Sequence, residues 1–174
     1  QRISGLESIV RCVSFNHAGT RLVTSGSGHL ITTWSLESQA TELSIDTGSE
    51  TGGPIYSVSY SPDDRQIIAA CKDGSLKVFD SGKGELMMEL KGHTGPVLAA
   101  NWSHDGERIV SASADNTIKI WDAVTGQDIL TLFGHGNQVT TVCFGPADEV
   151  IASGGFDATV RIWDARPLDP GPKQ

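Results

Sequence analysis

Two aromatic series run through this chain with a single period. Trp34, Phe79, Trp121 and Trp163 are separated by 45, 42 and 42 residues, and Phe15, Tyr60, Trp102 and Phe144 keep the same three spacings. Two independent markers with one period mean four copies of one structural unit. The three additional residues of the first interval fall in "TGSETGG" (47–53), a polar, Gly-rich stretch where an insertion costs little.

One unit, residues 93–133, shows what the copies are. "PVLAANW" is a short apolar run and "SHDGE" supplies turn chemistry; "RIVSAS" alternates and "ADN" turns; "TIKIWD" alternates again, "AVTGQ" turns and "DILTLF" closes. That is four short strands joined by Gly, Asp and Asn turns, without helical periodicity. One four-stranded sheet of this size leaves an apolar face uncovered. Stacking the copies face to face covers it, and radial repetition of such sheets is the propeller solution.

Gly92-His93 and Gly134-His135 open the third and fourth units, and Trp121-Asp122 and Trp163-Asp164 close their third strands. With the period, these dipeptides resemble WD40 repeats, over essentially the whole chain to residue 166. The resemblance implies an all-β fold of WD40-type β-propeller blades: four four-stranded antiparallel units, part or half of a seven- or eight-bladed ring. The units fall at about 5–47, 48–90, 91–132 and 133–166, with 1–4 as a possible closing strand and 167–174 as a C-terminal tail.

It also implies a hydrogen-bonded chain of His, Ser, Asp and Trp inside a unit. Carried over, the third unit supplies His93, Ser111, Asp115 and Trp121, and the fourth His135, Ser153, Asp157 and Trp163. The physics supports such a network, because a half-buried indole N–H needs an acceptor and a buried imidazole needs both nitrogens satisfied. These histidines are therefore expected to be structural. The first two units depart: Leu6 and Thr51 stand at the His positions, Gly28 replaces the first acid while Asp73 keeps the second, Ala69 replaces the strand Ser and Phe79 has no N–H. Apolar packing alone is expected to hold them, and they are expected to loosen first.

Composition narrows the function. The chain has 174 residues, 38% of them hydrophobic, and a formal net charge of −8 with only 13 Lys and Arg, scattered singly. No basic block exists to track phosphates, so nucleic acid is not expected as a partner. No run approaches the ~20 apolar residues of a membrane helix, so no membrane association is expected. Cys12, Cys71 and Cys143 are far apart and two lie in apolar runs; they read as reduced core thiols, which favours an intracellular (cytoplasmic or nuclear) setting. The first residues carry no signal-peptide pattern and no Met, as in a processed chain or a piece of a longer one.

No motif supplies a complete catalytic set. "DTGS" (46–49) matches an aspartic-protease phrase letter for letter, but that chemistry needs two carboxylates sharing a proton, and a homodimer would have to supply the second. "SGKG" (81–84) lacks phosphate-loop spacing, and His17, His29 and His104 have no partners at metal-ligand spacing. Asn101-Trp102-Ser103 spells a glycosylation acceptor inside a predicted strand and reads as chance. No catalytic residue, metal or cofactor is expected.

What remains is surface. By resemblance, partners bind the rim that carries the second-to-third-strand turns, here Ser27, Lys72, Ala114 and Phe156, with Thr94, Pro96 and Gln138 beside them. Phe156 is an aromatic in a turn otherwise filled by small or polar residues, a candidate anchor. The expectation is a non-catalytic interaction scaffold presenting a rigid rim to other proteins in a multiprotein complex. Four blades are few for a closed ring, so self-association that completes the propeller is a second expectation.

Overall fold

A computed structural model of the chain describes residues 8–48 and 53–166. Among these residues every regular element is a strand, and the strands form four separate antiparallel sheets. Blade 1 holds β1 (Val10–Phe15), β2 (Arg21–Gly26), β3 (Leu30–Ser35) and β4 (Thr41–Asp46); blade 2 holds β5 (Ile55–Tyr60), β6 (Gln66–Cys71), β7 (Leu76–Asp80) and β8 (Leu86–Leu90). Blade 3 holds β9 (Val97–Trp102), β10 (Arg108–Ser113), β11 (Ile118–Asp122) and β12 (Asp128–Leu132). Blade 4 shows three strands rather than the expected four: β13 (Val139–Phe144), β14 (Val150–Gly155) and β15 (Val160–Asp164). The proposed closing strand 1–4, Leu6, Thr51 and the tail 167–174 lie outside the described residues.

The turns explain why the chain folds back where it does. After the third strands of blades 2 and 3 an Asp side chain accepts from the next backbone amides: Asp80 from Gly82 and Lys83 (2.9 and 2.8 Å), Asp122 from Val124 and Thr125 (3.0 and 2.7 Å). Gly84 and Gly126 then close these turns at φ of 74° and 72°, a conformation that costs a side chain dearly. This gives the Asp of the "WD" phrase its own structural task.

The innermost strands stack in order: β1 against β5, β5 against β9, β9 against β13. Period-2 alternation gives each blade two apolar faces. One is carried by the first strand and looks back at the preceding blade, as Ile55, Val58 and Tyr60 do in blade 2 and Val139, Val142 and Phe144 in blade 4. The other is carried by the second and third strands and looks forward, as Val110, Ala112, Ile118 and Ile120 do in blade 3. Between blades these faces are sealed; Ile68, Leu76, Val97 and Ile109 are fully buried. At the ends they are open: Val13 and Phe15 of blade 1 are 59% and 63% exposed, and Val160 and Ile162 of blade 4 are 77% and 66% exposed.

Candidate functional site: networks beneath a rim of turns

Blades 3 and 4 each carry one continuous polar chain. In blade 3 the Trp121 indole donates to Ser111 Oγ (2.8 Å), Ser111 Oγ lies 2.8 Å from His93 Nε2, and His93 Nδ1 lies 2.8 Å from Asp115 Oδ2. Blade 4 repeats it with Trp163, Ser153, His135 and Asp157, again at 2.8 Å in each link. The indole can only donate, so the Ser hydroxyl hydrogen is free to point at Nε2, and the imidazole proton resides on Nδ1 facing the carboxylate. Burial pushes the His93 pKa down, more than Asp115 raises it, which agrees with a neutral ring.

The acids do double duty. Asp115 also accepts from the amides of Thr94 and Thr117 and from the Thr117 hydroxyl, at 2.9, 2.9 and 2.6 Å. Burial raises its pKa, but these bonds and His93 outweigh burial and hold it below the ordinary value of 3.8. Asp157 is treated alike by the Gly136 amide and by Thr159, at 3.0 Å and, from the hydroxyl, 2.8 Å. These bonds tie each chain to the backbone of the turns above it, so the networks position those turns.

Blades 1 and 2 correct the expectation that apolar packing alone holds them. In blade 1 the Trp34 indole donates to Thr24 Oγ1 (3.3 Å), and that hydroxyl donates on to the Thr32 carbonyl (3.3 Å). Thr24 stands ten residues before Trp34, as Ser111 stands ten before Trp121, so the signal was in the spacing. In blade 2 the buried Lys77 ammonium donates to the Thr47 carbonyl (2.7 Å), and Asp73 accepts from the Ser75 amide and hydroxyl (2.9 and 2.6 Å). Ala69 and Phe79 replace both the acceptor and the donor of the other blades with apolar groups, which leaves nothing unpaired there.

Above the networks lies the rim, and here the structure brings the sequence candidates together. The residue before each turn acid, or before Gly28 in blade 1, donates its amide to the residue just ahead of the first strand: Ser27 to Ile9, Lys72 to Pro54, Ala114 to Pro96 and Phe156 to Gln138, at 2.9 to 3.2 Å. One bond repeated four times therefore sets Ser27, Lys72, Ala114, Phe156, Pro96 and Gln138 along one edge, with Thr94 tied to it through Asp115. Ser27, Ala114, Pro96 and Gln138 are half-buried, Thr94 and Lys72 are exposed, and Phe156 is 68% exposed.

The remaining sequence features fall elsewhere. Asp46 ends an outer strand with its side chain largely in solvent; Oδ1 accepts from the Gly48 amide (2.9 Å) and Oδ2 lies 4.0 Å from His29, so the carboxylate faces a histidine and its own turn. Asn101 donates its side-chain amide to the Val142 carbonyl of the next blade (2.7 Å), which occupies the group a glycan would need. His104 pairs with Asp148 at 2.8 Å. Burial pushes the Cys71 thiol up to about 11, an unreactive state.

One set of functional side chains escaped the sequence reading. On the opposite rim Asp64 of blade 2 reaches back to blade 1, accepting from the Asn16 side chain and the amides of His17 and Ala18. Asp148 of blade 4 reaches back to blade 3, accepting from His104 and from the Asp105 amide (3.1 Å). Both acids hold a left-handed backbone, φ 62° and 56°, where blades 1 and 3 have Gly19 and Gly106. Glycine and aspartate thus alternate around the array, a pattern visible only when units are compared two apart.

Comparison with known proteins agrees with this architecture. The family model "WD domain, G-beta repeat" matches residues 1–35, 41–80, 84–122 and 126–164. The U5 small nuclear ribonucleoprotein 40 kDa protein of Dictyostelium discoideum is 32% identical over 93 residues, 53% of this chain and 26% of that protein. WD repeat-containing protein 70 of Xenopus tropicalis is 29% identical over 86 residues, 46% of this chain and 14% of that protein. A subunit of chromatin assembly factor 1 of Saccharomyces cerevisiae is 38% identical over 47 residues, 27% of this chain and 10% of that protein. The matches span about a quarter or less of these curated relatives. Among solved structures, the computationally designed Ika4 protein superposes with a TM-score of 0.82 at 27% identity, covering 95% of this chain and 96% of that one. Four matched repeats, four stacked antiparallel sheets and two complete His–Ser–Asp–Trp chains place this protein in the WD40-repeat family, to which it belongs.

Proposed function

We propose that the protein is a non-catalytic interaction scaffold, which holds other proteins of a multiprotein complex on the rim that carries Phe156. Membership of a family whose domains generally bind proteins supports this reading, as do relatives named as a ribonucleoprotein component and part of a chromatin assembly factor. The observation that carries it is Phe156: a large aromatic 68% exposed, on a turn fixed from below by the Gln138 carbonyl and by Asp157. An aromatic held rigidly in water gives large contact area at low entropic cost, the profile of an interface anchor. Lys72, Ala114, Thr94, Pro96, Gln138 and Ser27 supply the flanking edge. An intracellular setting belongs to the same reading, supported by three free thiols.

The test is an affinity capture with quantitative mass spectrometry, comparing wild type with Phe156→Ala and Lys72→Ala. Proteins held by the rim drop at least tenfold with Phe156→Ala, since a loss of about 1.4 kcal/mol or more is ordinary for an anchor. A captured set unchanged by both substitutions removes the proposal. A set lost steeply with added salt and with nuclease treatment would instead identify nucleic acid as what is bound.

A further inference from the structure

We propose that the groove between blades 2 and 3 on the opposite rim receives an arginine side chain of a partner protein, together with an apolar residue of the same segment. The groove lies away from Phe156, so this surface stands or falls independently of what the Phe156 rim binds.

The three blade junctions differ in how this gap is filled. At the junction of blades 3 and 4, Arg108 crosses from one blade to the next. Its guanidinium donates to the Ala165 carbonyl and to the Asp148 carbonyl, and lies over the Phe144 ring, 5.1 Å from its centroid. The His104–Asp148 pair spans the same junction. At the junction of blades 1 and 2, Arg21 stands at the Arg108 position and pairs with Glu42 at 2.8 Å. Asp64 reaches back to blade 1 there, and the Ser81 hydroxyl donates to the Asp64 carbonyl (2.6 Å). The junction of blades 2 and 3 has none of these devices. Gln66 takes the place of the two arginines and turns its amide to Met87 Sδ (3.7 Å). Gly106 takes the place of Asp64 and Asp148, and Ala123 has no hydroxyl where Ser81 has one. The result is a groove of about 490 Å³ between the β5–β6, β9–β10 and β11–β12 turns.

Its walls offer what Arg108 uses one junction later. The Ala123 and Gly106 carbonyls correspond to those of Ala165 and Asp148, and among the described residues no donor reaches either. Trp102 stands at the Phe144 position, in one buried cluster with Val78, Met88 and Ala123 of the groove. An indole face attracts a guanidinium more strongly than a phenyl face does. Asp63 and Asp105 give the groove its charge, and none of the described residues lining it is basic. Arg65 approaches Asp63 only to 3.9 Å. A rigid fork of donors can meet two carbonyls and a ring face at once, which the compact ammonium of lysine cannot. Met87 and Val124, 54% and 80% exposed, flank the groove and give the residue beside the arginine an adaptable apolar contact.

The probe is the blocked peptide acetyl-Ala-Leu-Arg-Leu-Ala-amide, titrated into isotope-labelled chain and followed by NMR. The Trp102 indole N–H signal and the Gly106 and Val124 amides should shift and saturate below about 10 mM peptide. The indoles of Trp34, Trp121 and Trp163, bonded inside their own blades, should stay in place. Peptides with lysine or citrulline in place of arginine should bind about tenfold more weakly. Gln66→Arg supplies the guanidinium from blade 2 itself, so it should abolish the response and raise the melting temperature. Val124→Lys, at an exposed turn position, should weaken binding severalfold by repulsion and carries the test if Gln66→Arg does not fold. The absence of a saturable shift, or a wild-type response in both variants, overturns the proposal. Equal binding of the citrulline peptide overturns the assignment to arginine. Shifts of the same signals that grow with protein concentration alone would give the groove to a second copy of this chain instead.

Discussion

His93 shows how one buried residue makes stability depend on pH. Its ring is neutral in the folded chain because burial lowers its pKa below the ordinary 6.5, in spite of the attraction of Asp115. Unfolding exposes it to water and restores that value, so the unfolded chain binds more protons. The contribution of His93 is complete above about pH 6.5 and shrinks as pH falls below it. Asp115 acts in the same direction lower down: its folded pKa is depressed, so its contribution is complete above 3.8 and is lost as pH falls toward the folded value. The urea midpoint should therefore drop between about pH 7.5 and pH 5, and His93→Gln should flatten that slope. Ser111→Ala should lower stability by about 1–3 kcal/mol at neutral pH, because it leaves the Trp121 N–H and His93 Nε2 without partners. A His93→Gln chain with the wild-type slope would show that the acid sensitivity arises elsewhere.

At the scale of the element, the blade-to-blade turns matter more than any one strand. Asp64 collects donors from blade 1 through its side chain while its own backbone sits at φ 62°. The two tasks separate by substitution. Asp64→Gly keeps the left-handed turn and loses only the carboxylate, as Gly106 does naturally, and should cost about 1–3 kcal/mol. Asp64→Ala loses the carboxylate and adds backbone strain, and should cost about 1 kcal/mol more. Thermal unfolding of the two variants side by side checks this; equal melting temperatures would mean that the strain is absorbed. The same turns show where sequence reading stopped. Strands, turns and the period were legible because alternation and Gly/Asp punctuation are local, and His93, Ser111, Asp115 and Trp121 were legible by resemblance because their spacing is fixed within a unit. Thr24 was missed because threonine is common in strands and only its distance from Trp34 marks it. Asp64 and Asp148 were missed because their partners lie in the neighbouring unit, so no window within one repeat contains both sides.

For the whole molecule the question is whether stacking or the polar chains govern which blade opens first. A linear array of units is held by intrinsic unit stability plus contacts with nearest neighbours. Blades 2 and 4 separate these two contributions. Blade 2 lacks the His–Ser–Asp–Trp chain, yet Ile67, Ile68 and Leu76 are fully buried between two neighbours. Blade 4 has the complete chain, yet Val160 and Ile162 face solvent. The sequence contrast between "full" and "incomplete" units pointed to blades 1 and 2 as the first to loosen. Burial points to blades 1 and 4. At roughly 25 cal/mol per Å² of apolar surface, sealing a second face of a blade outweighs a network whose links contribute about 1 kcal/mol each. Hydrogen exchange resolves the two accounts through β6 and β14, which are both paired on two sides within their sheets. Amides of β6 should exchange more slowly than those of β14. The reverse order would mean that the polar chain, present beneath β14 and absent beneath β6, is the stronger restraint.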